Sequence, residues 1–194
     1  MSAIAQAFLV SFGVIFVAEL GDKSQLMALT FAARYDAWRV LLGITLATAL
    51  VHAVSVLVGV LIGGELPTAT ISIIAGVAFL GFAAWTLRGD QLSETEAARV
   101  DRSGRSAILA ASGAFFLAEL GDKTMLATIT LATRDNPFGV WLGSTIGMVV
   151  ADALAILAGK LLGTHLPERA VRIGAAAAFV IFGVILIVEG IQAG

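Results

Sequence analysis

Six stretches of this chain are almost wholly apolar, and each is about as long as a membrane is thick. They run from about 2 to 33, 38 to 63, 69 to 88, 106 to 133, 138 to 163 and 168 to 190. A hydrocarbon layer takes roughly 20 apolar residues per helical crossing. A soluble domain of 194 residues has no core able to hide six such runs; 59% of the residues are hydrophobic, 13% are charged and the mean hydropathy is +0.97. Strands of a membrane barrel alternate over about ten residues, and these runs do not alternate. The expectation is therefore an all-α membrane protein with six transmembrane helices. The polar breaks are too short for a soluble catalytic domain, so no enzyme is expected. A net charge of −2 gives no electrostatic basis for a nucleic-acid partner. Cysteine is absent, so a metal ion would meet only oxygen, nitrogen or thioether. The first run outlasts the apolar region of a signal peptide and is expected to stay as a span.

The chain is also duplicated. Of the 57 positions from Ser11 to Pro67, 23 carry the same residue 100 positions later, without a gap. Phe16 to Lys23 reads FVAELGDK and Phe116 to Lys123 reads FLAELGDK; Gly43, Thr45, Gly59, Gly63 and Pro67 recur as Gly143, Thr145, Gly159, Gly163 and Pro167. This divides the chain into a first repeat, residues 1–88, a polar linker, 89–105, and a second repeat, 106–194. Three spans per repeat is an odd number, so the second repeat is expected to cross in the opposite sense, as in many secondary transporters.

Arg34, Arg39, Arg88, Arg99, Arg102, Arg105, Lys160, Arg169 and Arg172 fall on the linker side and Arg134 alone on the other. By the positive-inside rule the linker is cytoplasmic and both termini lie outside. Trp38, Trp85 and Trp141 sit near span ends, where interfacial anchoring is expected. The pairs Gly59/Gly63, Gly143/Gly147 and Gly159/Gly163 have the spacing that lets helices of one chain approach closely.

Against this apolar background the buried charges stand out. Glu19, Asp22 and Lys23 lie within the first run, and Glu119, Asp122 and Lys123 within the fourth. At about 2.5–3.5 kcal/mol per charged residue at a helix centre, each trio costs roughly 8–10 kcal/mol. On a continuous helix Glu19 and Asp22 share a face, and Lys23 is placed to pair with Glu19. Gly21 and Gly121 can loosen the helix there, and Ser24 and Thr124 add hydroxyls. His52 and Asp152 occupy equivalent positions deep in the second and fifth runs. Glu19, Asp22, His52, Glu119, Asp122 and Asp152 are thus expected to converge on one metal-binding site tuned by Lys23, Lys123, Ser24 and Thr124. Five carboxylates against two ammonium groups leave surplus negative charge, so protons and a divalent cation would compete for the same oxygens. Imidazole suits Mn2+ better than Ca2+, so His52 is expected to bias the choice toward manganese.

The duplicated ELGDKS and ELGDKT strings resemble the E-x-G-D-(K/R)-(S/T) signature of a family of small two-repeat transporters related to the cation/calcium exchangers, including the Golgi manganese and calcium transporter and bacterial manganese exporters. The resemblance implies exchange of Mn2+ or Ca2+, as transported substrate, for protons across a bacterial inner membrane. It also implies that Glu19, Asp22, Glu119 and Asp122 are the ion-binding residues; no cofactor is implied. Two other readings of the residues stay open. One is export of an amino acid or another organic cation. The other is an intramembrane aspartyl protease using Asp22 and Asp122, against which stand Leu20 and Leu120 where such enzymes place a glycine before one aspartate.

Overall fold

The computed structural model describes residues 1–64, 66–88, 106–162 and 168–193; the linker expected at 89–105 lies outside them. Among the described residues every regular element is a helix: α1 (Ala3–Glu19), α2 (Lys23–Arg34), α3 (Ala37–Gly63), α4 (Thr68–Arg88), α5 (Ala107–Glu119), α6 (Lys123–Ala132), α7 (Pro137–Leu162) and α8 (Glu168–Ala193). Helices α3, α4, α7 and α8 are long and apolar enough to cross a membrane, and each coincides with an expected run. The first and fourth runs were expected as single spans. Each instead breaks into two helices at ELGD, and α2 departs from α1 by 74°. At 1.5 Å per residue, α1 and α5 rise roughly 25 and 20 Å, less than the apolar layer is thick.

The break has a local cause. Leu20 (φ −63°, ψ 118°) and Gly21 (φ 73°) are the two central residues of a type II turn, closed by the Asp22 N–H donating to the Glu19 carbonyl at 3.1 Å. The second half repeats it: Leu120 (φ −64°, ψ 113°), Gly121 (φ 81°), and Asp122 N–H to the Glu119 carbonyl at 3.2 Å. A type II turn requires a positive φ at its third position, which glycine adopts without a Cβ clash. Asp22 and Asp122 then become the N-cap residues of α2 and α6. Neither spends its side chain on a capping hydrogen bond, which leaves the carboxylates for tertiary partners.

The main packing contacts have counterparts when the halves are exchanged. Helix α1 packs along α7 as α5 packs along α3; α3 meets α7, and α4 pairs with α8. Small residues permit the close approaches: a side chain at Gly143 or Gly147 would strike the α1 backbone at Phe8 or Phe12, and one at Gly59 or Gly63 would strike the end of α6 at Ile129 or Thr133. Gly59, Gly63, Gly143 and Gly147 thus serve packing within one chain, as their spacing suggested. Trp141 lies half-buried near the start of α7 and donates its indole N–H to the Ala49 carbonyl of α3 at 2.9 Å, tying two helices.

Candidate cation site

Each turn leaves its two central residues half-buried or exposed and turns the acids on either side of it into the bundle. Glu19, Asp22, Glu119, Asp122 and Asp152 are all buried, none more than 3% exposed. Glu119, Asp22, Asp152 and Lys123 all act electrostatically on Glu19, and Asp122, Asp22 and Asp152 act on Glu119. Acids from both halves therefore lie within electrostatic reach of one another.

The lysines pair differently from the expectation. Lys23 was placed against Glu19 by a continuous helix, but the turn removes that register. Lys123 instead donates to Asp22 Oδ1 across the halves, and Lys23 Nζ lies 3.6 Å from Asp122 Oδ1. Each half thus supplies a cation to the other half's aspartate. The glutamates are held by hydroxyls from the next helix: Ser24 Oγ donates to Glu19 Oε2, and Thr124 Oγ1 to Glu119 Oε2 at 2.8 Å. The second oxygen of each glutamate, and both oxygens of Asp152, are buried without a hydrogen-bond partner. Buried acceptors of that kind are costly unless something else meets them.

His52 is buried on α3, and its described polar contact is Thr145 Oγ1, 3.5 Å from Nδ1. Among the described residues no three His, Asp or Glu side chains form a ready-made metal cage. The geometry accounts for this, since ammonium groups lie against the aspartates and hydroxyls take one oxygen of each glutamate. Two polar residues of the site had no signal in the repeat. Gln25 is 4% exposed and bridges Gly21 N–H to the Ala151 carbonyl, and Thr48 Oγ1 donates to Met148 Sδ at 3.4 Å. Their counterparts, Met125 and Met148, differ from them, so comparing the halves passes both over.

Acidic groups from two matching halves, paired in part with buried lysines within an apolar helical bundle, make up a candidate cation site. The chain belongs to the GDT1 family of divalent cation/proton antiporters, whose model matches it twice, at residues 7–94 and 107–194. It is 35% identical over 166 residues to a putative manganese exporter of Vibrio cholerae, covering 84% of this chain and 81% of that one. A GDT1-like protein of Synechocystis is 29% identical over 197 residues, covering 92% and 95%. The chloroplastic protein PAM71 of Arabidopsis thaliana is 31% identical over 213 residues, 96% of this chain but 58% of its own length. No solved structure matches the chain.

Proposed function

We propose that this protein exports Mn2+ in exchange for protons across a bacterial inner membrane, with both termini outside and its halves arranged as inverted repeats of three crossings, the first crossing of each being the broken pair. The observation that carries the reading is the cross-pairing of Lys23 and Lys123 with the opposite aspartates beside glutamate and Asp152 oxygens that lack partners. In the cation-free protein the ammonium groups and bound protons offset the cluster's negative charge. A divalent ion entering from the cytoplasm displaces them, because one Mn2+ can be shared by carboxylates from both halves whereas an ammonium serves one. Release outside follows when protons return to the same oxygens. Rocking of one half against the other around the shared cluster changes the side from which it is reached.

Glu19, Asp22, Glu119, Asp122 and Asp152 are the proposed ligands, with Lys23, Lys123, Ser24 and Thr124 holding them between transport events. His52 adds an imidazole nitrogen that favours manganese over calcium. The test is the cellular manganese content and Mn2+ tolerance of a bacterium lacking its own exporters, with and without this protein. Expression is expected to lower the content and restore tolerance, and Glu19→Gln, Asp22→Asn, Glu119→Gln and Asp122→Asn to abolish both while leaving the protein in the membrane. Wild-type tolerance in two or more of these variants would contradict the ligand set. His52→Asp is expected to move the transported Mn2+ to Ca2+ ratio toward calcium; an unchanged ratio would assign His52 to packing alone.

A further inference from the structure

The two halves solve one local problem in different ways, and the difference falls beside the cluster. In each type II turn the glycine N–H points away from the turn's own hydrogen bond and is left for another acceptor, half-buried at Gly21 and exposed at Gly121. In the first half Gln25 Oε1 accepts it at 2.9 Å, and in the second Met125 Sδ accepts it at 3.2 Å. A thioether can only accept, whereas a carboxamide also donates. Gln25 uses that donor: its Nε2 reaches the Ala151 carbonyl of α7 at 3.2 Å, one residue before Asp152. The α3 carbonyl equivalent to Ala151 belongs to Val51, and it is already taken by the Ser55 hydroxyl of its own helix at 2.7 Å. The residue equivalent to Ser55 is Ala155, which has no hydroxyl, so the Ala151 carbonyl stays open for Gln25. Two differences between the halves, Gln25 for Met125 and Ala155 for Ser55, therefore combine to make one bond between the halves that the other side lacks the chemistry to make.

We infer that Gln25 is a positioning residue that locks the Glu19–Asp22 turn to the turn of α7 carrying Asp152, and thereby sets the affinity of the cluster for the transported divalent cation. This rests on the reading of those carboxylates as cation ligands. Helix α2 packs against α7, so the bond spans an existing contact. Without it, the first-half acids and Asp152 keep their side chains but lose their fixed separation, and cation affinity depends on that separation.

The test measures Mn2+ transport into proteoliposomes against Mn2+ concentration for the full-length protein and for Gln25→Met, which keeps an acceptor for Gly21 and removes the donor to α7. KM is expected to rise roughly three- to tenfold, as loss of one hydrogen bond implies, with the maximal rate within about twofold of wild type. Met125→Gln is expected to leave KM unchanged, because Ser55 already occupies the carbonyl it would need. A Gln25→Met protein with unaltered KM and a maximal rate lowered only in step with its abundance overturns the inference. So does an equal rise in KM from Met125→Gln. Amide hydrogen exchange over residues 19–26 separates this from failure of the transport reading. If wild type moves no Mn2+ yet Gln25→Met speeds exchange there, the interhelical lock stands and the functional reading falls; unchanged exchange removes the lock itself.

Discussion

Gly121 and Lys123 show how much single residues of the ELGDK strings carry. A Cβ at Gly121 would meet no atom within 4 Å, so substitution there is penalised by its φ of 81° alone. Gly121→Ala is expected to cost about 1–2 kcal/mol in thermal unfolding of the detergent-solubilised protein. Gly13→Ala, in the middle of α1 and equally open, is expected to be neutral or to stabilise by up to about 1 kcal/mol. Equal losses at the two positions would contradict the turn. Lys123 is buried against Asp22, and Lys123→Met removes this ammonium from a buried ion pair, at a cost of about 3–5 kcal/mol. Millimolar Mn2+ is expected to restore part of the lost Tm, since a divalent ion can replace the ammonium. A Tm loss that Mn2+ leaves untouched would argue against a shared location.

The helices bear out most of what the apolar pattern allows. Four of the six runs became long helices within a few residues of their expected bounds, because twenty apolar residues in a row have few other ways to satisfy their backbone. The breaks in the other two were not legible as breaks. Apolar residues resume on the far side of each ELGDK string, so the charges read as a polar site within a span, and only the glycines hinted at a break. Cross-pairing of the lysines was invisible for a related reason: the turn decides it, and a sequence read as continuous helix points Lys23 at its own glutamate. Repetition made the acids and the Ser24/Thr124 hydroxyls legible, and it hid Gln25, whose counterpart is Met125. Packing gives a prediction at this scale. Gly147→Leu would drive α1 off α7, since even a Cβ there lies 2.7 Å from the Phe12 carbonyl, and folded protein is expected to vanish from the membrane fraction. Gly81→Leu on α4, where nothing lies within 4 Å, is the control and is expected to accumulate normally.

The turn between α6 and α7 joins elements of a different kind. Arg134 Nη2 bonds Glu189 Oε2 at 2.8 Å, linking the end of α6 to α8. Burial raises the neighbouring Asp135 carboxyl above its ordinary range, Arg134 opposes the rise and Glu189 adds to it. An acid whose folded pKa is raised favours the fold when protonated, so its contribution is complete below the ordinary carboxylate pKa and is lost as pH climbs through the raised value. Asp135→Asn is expected to raise Tm at pH 7 and to lose that advantage as pH falls toward 4. A gain that is the same at both pH values would show that charge is not its cause.

At the scale of the whole molecule, the main packing contacts of one half find partners when the halves are exchanged, and acids of both halves lie within electrostatic reach of one another. In the proposed mechanism coupling follows from a shared site, because a cation and protons cannot hold the same oxygens together. The central claim is that each cation crossing carries protons the other way. Proteoliposomes containing the protein and an internal pH-sensitive dye test it when Mn2+ is added outside. The interior is predicted to turn alkaline in proportion to the Mn2+ taken up, with neither signal in Glu19→Gln or Glu119→Gln; Mn2+ entry without a change in internal pH would contradict the account.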